Sequence, residues 1–268
     1  MTKTLLANIE SIPALPESVQ EVERIYHDSE STFEDMQKAI EKDPLLTANI
    51  LRIVNSPAYG IKSNITGVKQ AISLLGKDAV RTFVLASAVD SNFEIDLSPY
   101  NMTKEEFALA CDRQLSLTIN WLIRKESKNL AILAPAAFLV DIGRVIIAKT
   151  LVEDDKVDII QQALLAGEDI SSAEKTACGA QTTDVTATLF HKWGLDPEVV
   201  HIIRYSDDPE GTGPEEQRMA AELKAVRETV MPNGEITDES IETAKETIEE
   251  FDLDLESYEK ALEKILEA

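Results

Sequence analysis

Apolar residues recur at helical spacing along almost the whole chain, which predicts an all-α protein. Residues 45–54 are apolar at all but three positions, so we expect a central helix with one narrow polar stripe. Asp43-Pro44 is a typical helix start, because the aspartate accepts from unpaired amides and proline lacks an amide of its own. Asn55-Ser56-Pro57 is expected to end this helix. Two more amphipathic helices follow, with Gly76 as the expected cap between them.

Hydroxyl and acidic residues at capping-box spacing predict three further helix starts. The pairs are Thr32 and Asp35, Thr103 and Glu106, and Ser171 and Glu174. The helix after Thr103 has an apolar face that Gln114 completes, so this glutamine is expected to point toward the core. The helix after Ser171 is expected to end at Gly179.

The composition changes after residue 210. Gly211-Thr212-Gly213-Pro214 predicts a linker and a helix start, and Pro232-Asn233-Gly234 predicts a tight turn. Helices are predicted up to about residue 230, over 237–250 and over 255–266. The last two are acidic but carry an apolar face each, so we expect them to dock on the main body.

The chain is strongly acidic, with 26 basic and 49 acidic residues and a net charge of −23. The 62 residues from Asp207 onward carry −14 of this charge, since they hold 20 acids and 6 bases. Phosphate backbones bind through Lys and Arg, so this balance disfavours nucleic acids and anionic membranes. It favours a protein partner with a basic surface, unless the charge only keeps the protein soluble.

The cysteine content and the absence of a leader predict a soluble cytoplasmic protein. Cys111 and Cys178 both lie within apolar helical patterns, which fits a reducing compartment better than a disulfide framework. The first residues lack the apolar run of a signal peptide. We expect no segment to reach the length of a membrane-spanning helix.

Residues 43–85 resemble a known family. They contain DP.L...ILR.VNSPAYG followed by I....QAI..LG...VR..VL, which is similar to the HDOD domains, relatives of the HD metal-dependent phosphohydrolases that typically lack the catalytic metal ligands. The resemblance implies an HD-like multi-helix orthogonal bundle over residues 5–210. Residues 211–268 would then be an acidic helical extension packed against it. It also implies a role in bacterial signal transduction.

The positions that correspond to the metal ligands of the HD enzymes carry other residues here. By resemblance these positions are Gln114, Val140, Asp141, Thr182, Ser206 and Asp207. Valine has no lone pair to donate, and hydroxyls are poor ligands for transition metals beside imidazole. We expect Asp141 to pair with Arg144 or with backbone donors, although it could be a residual ligand. The three histidines, His27, His191 and His201, fall on none of these positions.

The favoured hypothesis is a non-catalytic protein without metal or cofactor that acts by binding a protein partner. Because no receiver, GGDEF or EAL segment is found in the chain, its input is expected to arrive through another molecule. The candidate interaction loop is Asn55, Ser56, Pro57, Tyr59 and Gly60, which could equally serve only to turn the chain between two helices.

Two alternatives stay open. Asp141, Asp184 and Asp207 could hold Mg²⁺ or Mn²⁺ in a rearranged phosphohydrolase site. The vacated pocket could instead bind a nucleotide, although Arg144 is the only basic residue near Asp141 in sequence. No glycine-rich phosphate loop and no G-x-S-x-G nucleophile motif is present.

Overall fold

The computed structural model describes residues 1–55, 65–92, 95–122 and 127–267, and these residues form fifteen α-helices, three short 3-10 helices and no strand. The α-helices are α1 Lys3–Ser11, α2 Glu17–His27, α3 Phe33–Glu41, α4 Pro44–Val54, α5 Val68–Asn92, α6 Lys104–Leu122, α7 Ser127–Leu139, α8 Gly143–Glu153, α9 Val157–Ala166, α10 Ile170–Cys178, α11 Thr182–Lys192, α12 Pro197–Tyr205, α13 Pro214–Thr229, α14 Asp238–Glu250 and α15 Leu255–Leu266. The 3-10 helices are Ser98–Tyr100, Val140–Ile142 and Pro209–Gly211.

The central helices begin and break where the sequence predicts. Asp43 Oδ1 accepts from the amides of Leu45 and Leu46, both at 3.0 Å, and Pro44 is the first residue of α4. α4 packs along α5. Gly76 interrupts α5 with a φ of 85°, a conformation that only glycine adopts without strain, so α5 consists of two helical arms.

The interior of the bundle is formed by α7, the Val140–Ile142 turn and α8. By length and composition the run Asn129–Glu153 could cross a membrane, so the expectation that no segment reaches this length was wrong. However, 78% of its most apolar window is buried inside the protein, as in the core helix of a soluble domain. The two charged residues that interrupt this window are themselves paired, as described below.

Two of the three predicted capping boxes are confirmed. Thr32 accepts from the Asp35 amide at 3.3 Å, and the Thr103 amide donates to Glu106 at 2.7 Å. The box at Ser171 and Glu174 was wrong. α10 is capped instead by Asp169, which accepts from the amides of Ser171 (3.2 Å) and Ser172 (3.0 Å). Glu174 is therefore not needed at the helix end, and its side chain is fully buried.

Two of the last three helices, α13 and α15, pack on the rest of the protein, and α14 packs mainly on α13. α13 lies against α12 and α7, and α15 lies against α6. Trp121 of α6 donates through Nε1 to the carbonyl of Asp254 at 3.0 Å, and its ring meets Tyr258 of α15 edge-on at 5.3 Å. The Tyr258 hydroxyl is 2.8 Å from Thr229 Oγ1 at the end of α13. These contacts hold α13 beside the core, where it can contribute a side chain to the polar cluster described below.

Candidate functional site

Asp141 lies at the centre of a buried polar cluster. It sits on the 3-10 turn between α7 and α8 and is only 4% exposed. Gln114 of α6 points into the core as predicted, and its Nε2 donates to Asp141 Oδ2 at 2.9 Å. Val140 presents no polar side chain, but its carbonyl accepts from Thr186 Oγ1 at 2.7 Å.

Two arginines approach the other oxygen of Asp141. Oδ1 lies 3.4 Å from Arg144 Nη2 and 3.4 Å from Arg227 Nη2. The pairing with Arg144 was predicted, whereas Arg227 comes from α13 and was not. Arg227 also donates through Nη1 to Asp207 Oδ1, and Thr183 donates to Asp207 Oδ2 at 2.6 Å. One guanidinium therefore bridges Asp141 and Asp207, the two acidic residues among the positions that the resemblance assigns to metal ligands.

The surroundings of Asp141 and Arg227 determine whether these two side chains are charged. Burial acts to raise the pKa of Asp141, but Arg144, Arg227 and the hydrogen bond from Gln114 outweigh burial and hold the pKa below its usual value. Burial acts to lower the pKa of Arg227, but Asp207 and Asp141 reverse this and raise it. Both groups are therefore charged at neutral pH.

A second buried carboxylate, Glu174, lies on the far side of Arg144. Arg144 Nε is 3.8 Å from Glu174 Oε1. Glu174 accepts from the Tyr100 hydroxyl at 2.8 Å and from both the amide (2.7 Å) and the hydroxyl (2.8 Å) of Thr182. Thr182, which the resemblance places at a histidine position of the HD enzymes, thus serves as a double donor to Glu174. Burial raises the pKa of Glu174 despite these partners.

Close contact between α8 and α11 holds the cluster together. A Cβ atom at Gly143 would lie 2.3 Å from the Thr182 carbonyl and 2.7 Å from Thr186 Oγ1, so only glycine fits. The Gly143 amide donates to Thr186 Oγ1 at 2.8 Å. Ser206, another position that the resemblance assigns to a ligand, is buried at the end of α12 and donates to the carbonyl of Ile203 at 2.9 Å.

The residues at these positions do not fit a divalent metal. Both oxygens of Asp141 face nitrogen donors, and two of those donors are cationic. Asp184 is not part of the cluster with Asp141: it caps α11 by accepting from the Gln181 amide and lies 4.0 Å from Arg204. The described part of the chain holds no group of three His, Cys, Asp or Glu side chains that could bind an ion.

The first residue of the candidate interaction loop closes the loop at its base. Asn55 Nδ2 donates to the carbonyl of Ile65 at 2.8 Å, and Asn55 Oδ1 accepts from the amide of Ile65 at 2.8 Å. Asn55 therefore ties the end of α4 to the segment that leads into α5. The other residues of that prediction, Ser56, Pro57, Tyr59 and Gly60, lie outside the described residues.

The helical bundle is that of an HD-like domain, and comparison with known proteins agrees. Residues 12–209 match the model of the HDOD domain. The chain belongs to the HDOD family. No curated protein sequence matches it significantly.

Solved structures share the fold over nearly the whole chain. A virulence factor from Campylobacter jejuni is 26% identical with a TM-score of 0.59, covering 96% of this chain and 93% of its own. A candidate phosphohydrolase from Shewanella amazonensis SB2B is 22% identical with a TM-score of 0.70, covering 98% and 94%. An HDOD domain protein from Geobacter sulfurreducens is 18% identical with a TM-score of 0.68, covering 97% and 93%. The expected all-α, HD-like fold is confirmed.

Proposed function

We propose that this protein is a non-catalytic, cytoplasmic signal-transduction protein that acts by binding a protein partner. The observation that carries the proposal is the pair of guanidinium groups at Asp141, of which Arg227 also binds Asp207. In a metal-dependent hydrolase, acidic side chains at such positions would neutralise a cation. Here arginine side chains neutralise them.

Electrostatic repulsion supports this proposal. Two unit charges 4 Å apart interact with about 4 kcal/mol at an effective dielectric constant of about 20. Each of the guanidinium groups of Arg144 and Arg227 would repel a divalent ion placed beside Asp141, and both already neutralise the carboxylate that would attract it. Gln114 turns its Nε2 donor, and not its Oε1 acceptor, toward Asp141, and Oε1 is buried without a hydrogen-bond partner among the described residues. The alternative of a hydrolase whose metal is held by Asp141, Asp184 and Asp207 is disfavoured for the same reason. In addition, Asp184 lies beside Arg204 and away from the cluster.

A partner with a basic surface fits the outer face of the last two helices. The exposed acidic residues of α14, α15 and the turn between them are Asp238, Glu239, Glu242, Glu246, Glu249, Glu250, Asp252, Glu256, Glu259 and Glu263. Lys245 and Lys260 are each paired with one of these glutamates, so the face keeps a large negative excess. Such a field accelerates encounter with a positively charged protein and makes binding salt-dependent.

An activity assay tests the non-catalytic part of the proposal. Purified protein supplied with Mn²⁺ or Mg²⁺ should not hydrolyse phosphate monoesters or diesters above the level of an Asp141→Ala variant. The proposal fails if wild-type protein turns over such an ester and Asp141→Ala abolishes the turnover.

Affinity capture from cells tests the binding part. We would compare wild-type protein with a variant carrying Glu→Gln at 242, 246, 249 and 263. A matched control carries Glu→Gln at 10, 30, 34 and 105, four exposed acids elsewhere that give the same change in charge. The expected result is a protein retained by the wild type and the control but lost from the first variant and at high salt. Equal retention by both variants would contradict a basic partner docked on α14 and α15.

A further inference from the structure

The first helix, α1, lies across α8 and α11 and is followed by a linker that contains Pro13 and Pro16. It precedes the residues that match the family model. α1 buries two apolar side chains, Leu5 and Ile9, and one carboxamide, Asn8. A helix of nine residues is marginal by itself in water, so α1 depends on the surface of α8 and α11 for its structure.

Polar side chains of α1 donate hydrogen bonds to acceptors at the end of α8. Asn8 Nδ2 donates to Thr150 Oγ1 at 3.0 Å and to Glu153 Oε2 at 2.7 Å. Thr4 Oγ1 donates to Asp154 Oδ1 at 2.7 Å. Each of the two carboxylates also lies 3.9 Å from a lysine. They therefore act on α1 as hydrogen-bond acceptors and not as free charges.

The C-terminal end of α1 is held by two side chains at the end of α11. Lys192 Nζ donates to three carbonyls there, those of Ile9 (3.0 Å), Glu10 (2.7 Å) and Ile12 (2.7 Å). Trp193 donates through Nε1 to the carbonyl of the first linker proline at 2.9 Å. A helix end leaves its last carbonyls without intrahelical partners, and a lysine is a suitable donor for them.

These contacts outline a groove that recognises general features of a helix. We name Thr150, Glu153, Asp154, Lys192 and Trp193 the α8–α11 groove. The helix in it supplies two apolar side chains four residues apart, a hydroxyl and a carboxamide one turn apart, and free carbonyls at its C-terminal end. Other amphipathic helices can carry the same features. The contacts of Lys192 and Trp193 are to backbone atoms, so they do not depend on the sequence of the helix that they hold.

We propose that the α8–α11 groove is a docking site for an amphipathic helix of a protein partner, and that α1 occupies the groove until such a helix replaces it. The proposal rests on the partner binding proposed above but concerns a different surface from α14 and α15. A helix in a groove is a recurring mode of protein recognition. A second copy of this chain is a less favourable occupant, because it would have to release its own α1 and bring together two chains of net charge −23.

Binding of α1 from solution tests the groove. The probe is a peptide of residues 2–16 with fluorescein at its C-terminus, followed by fluorescence anisotropy on the full chain. The host is Asn8→Asp, which has the same shape but places a carboxylate against Glu153 and should release α1. Because tethered α1 competes at a high effective concentration, the probe should bind this host at least tenfold more tightly than the wild type. Ala7→Asp makes the same charge change on the exposed side of α1 and should behave as the wild type.

Two further changes locate the probe. A probe with its own Asn8→Asp change should not bind. Lys192→Met in the Asn8→Asp host should weaken binding at least tenfold, because it removes a charged donor to three carbonyls, whereas Lys69→Met on exposed α5 should leave binding unchanged. The proposal is overturned if the Asn8→Asp host shows no saturable binding, or binds no more tightly than the wild type. Because no cellular partner is present, such a failure would leave the affinity capture with α14 and α15 variants unaffected.

Hydrogen exchange gives a measurement that needs no variant. Amides of residues 8–11 in the wild type should exchange at least tenfold faster than those of α8, because α1 opens locally while the bundle stays folded. Equal exchange in α1 and α8 would show that α1 leaves only on global unfolding and would contradict the proposal. A concentration-dependent dimer of the wild type that Asn8→Asp abolishes, seen by sedimentation, would assign the groove to a second copy and overturn the choice of a separate partner.

Discussion

The bridge from Arg227 to Asp141 and Asp207 makes a strong prediction about stability. Arg227→Met keeps the unbranched stem of the side chain but removes the charge. Removing one partner of a buried ion pair typically costs about 3–5 kcal/mol. Asp141 keeps Arg144 and Gln114, and Asp207 is partly exposed, so we expect a loss at the lower end, about 3 kcal/mol.

A double-mutant cycle separates the interaction between Arg227 and Asp141 from non-specific destabilisation by either substitution. Asp141→Asn alone should also cost about 3 kcal/mol, because it leaves both guanidinium groups with less compensation. The double variant should cost clearly less than the sum, with a coupling energy of about 1–2 kcal/mol, as expected for residues in direct contact. The assay is urea unfolding at neutral pH, followed by far-ultraviolet circular dichroism.

The matched control is Lys245→Met, which removes a partly exposed partner of the exposed Glu259 in the same C-terminal region. Exposed ion pairs contribute about 1 kcal/mol or less, so this variant should be nearly neutral. If Arg227→Met is no more destabilising than Lys245→Met, or if the two losses in the cycle simply add, the arginine bridge does not stabilise the site and our account of it is wrong.

Three further predictions concern the close packing at Gly143, the hydrogen bonds of Asn55 and the ionisation of Asp141. Gly143→Ala should destabilise by about 3 kcal/mol through overpacking, whereas Gly67→Ala, which meets nothing within 4 Å, should be neutral in the same unfolding assay. Asn55→Ala should cost about 1–3 kcal/mol and speed amide exchange at Ile65, and unchanged exchange there would contradict the clamp. Because the pKa of Asp141 is lowered on folding, its stabilisation is present above the ordinary aspartate pKa of about 4 and lost as the pH falls through the lower folded value. The stability difference between wild type and Asp141→Asn should therefore shrink in acid, and a constant difference would contradict the assignment.

Much of the fold is predictable from local sequence. Asp43-Pro44, Thr32 and Gly76 act on backbone atoms within a few residues, so their roles can be recognised without tertiary information. The pairing of Asp141 with Arg144 is also local, since the two residues lie three apart on adjoining helical turns.

The rest of the site depends on contacts distant in sequence. Arg227 lies 86 residues from Asp141 and outside the residues that match the family model, so no spacing rule connects them. Glu174 fits a capping-box pattern, but Asp169 two residues before Ser171 is the better cap. One signal was available: a buried carboxylate needs a cation, and Arg227 lies close to the apolar positions of a helix that was expected to pack.

Elemental analysis of the purified protein tests the central claim most directly. Protein prepared without chelators and dialysed against metal-free buffer should retain far less than one equivalent of any divalent metal per chain, and Asp141→Asn should retain the same trace amount. One equivalent of Mn, Fe or Zn held by the wild type and lost from Asp141→Asn would show that the cluster binds an ion, and would contradict neutralisation by Arg144 and Arg227.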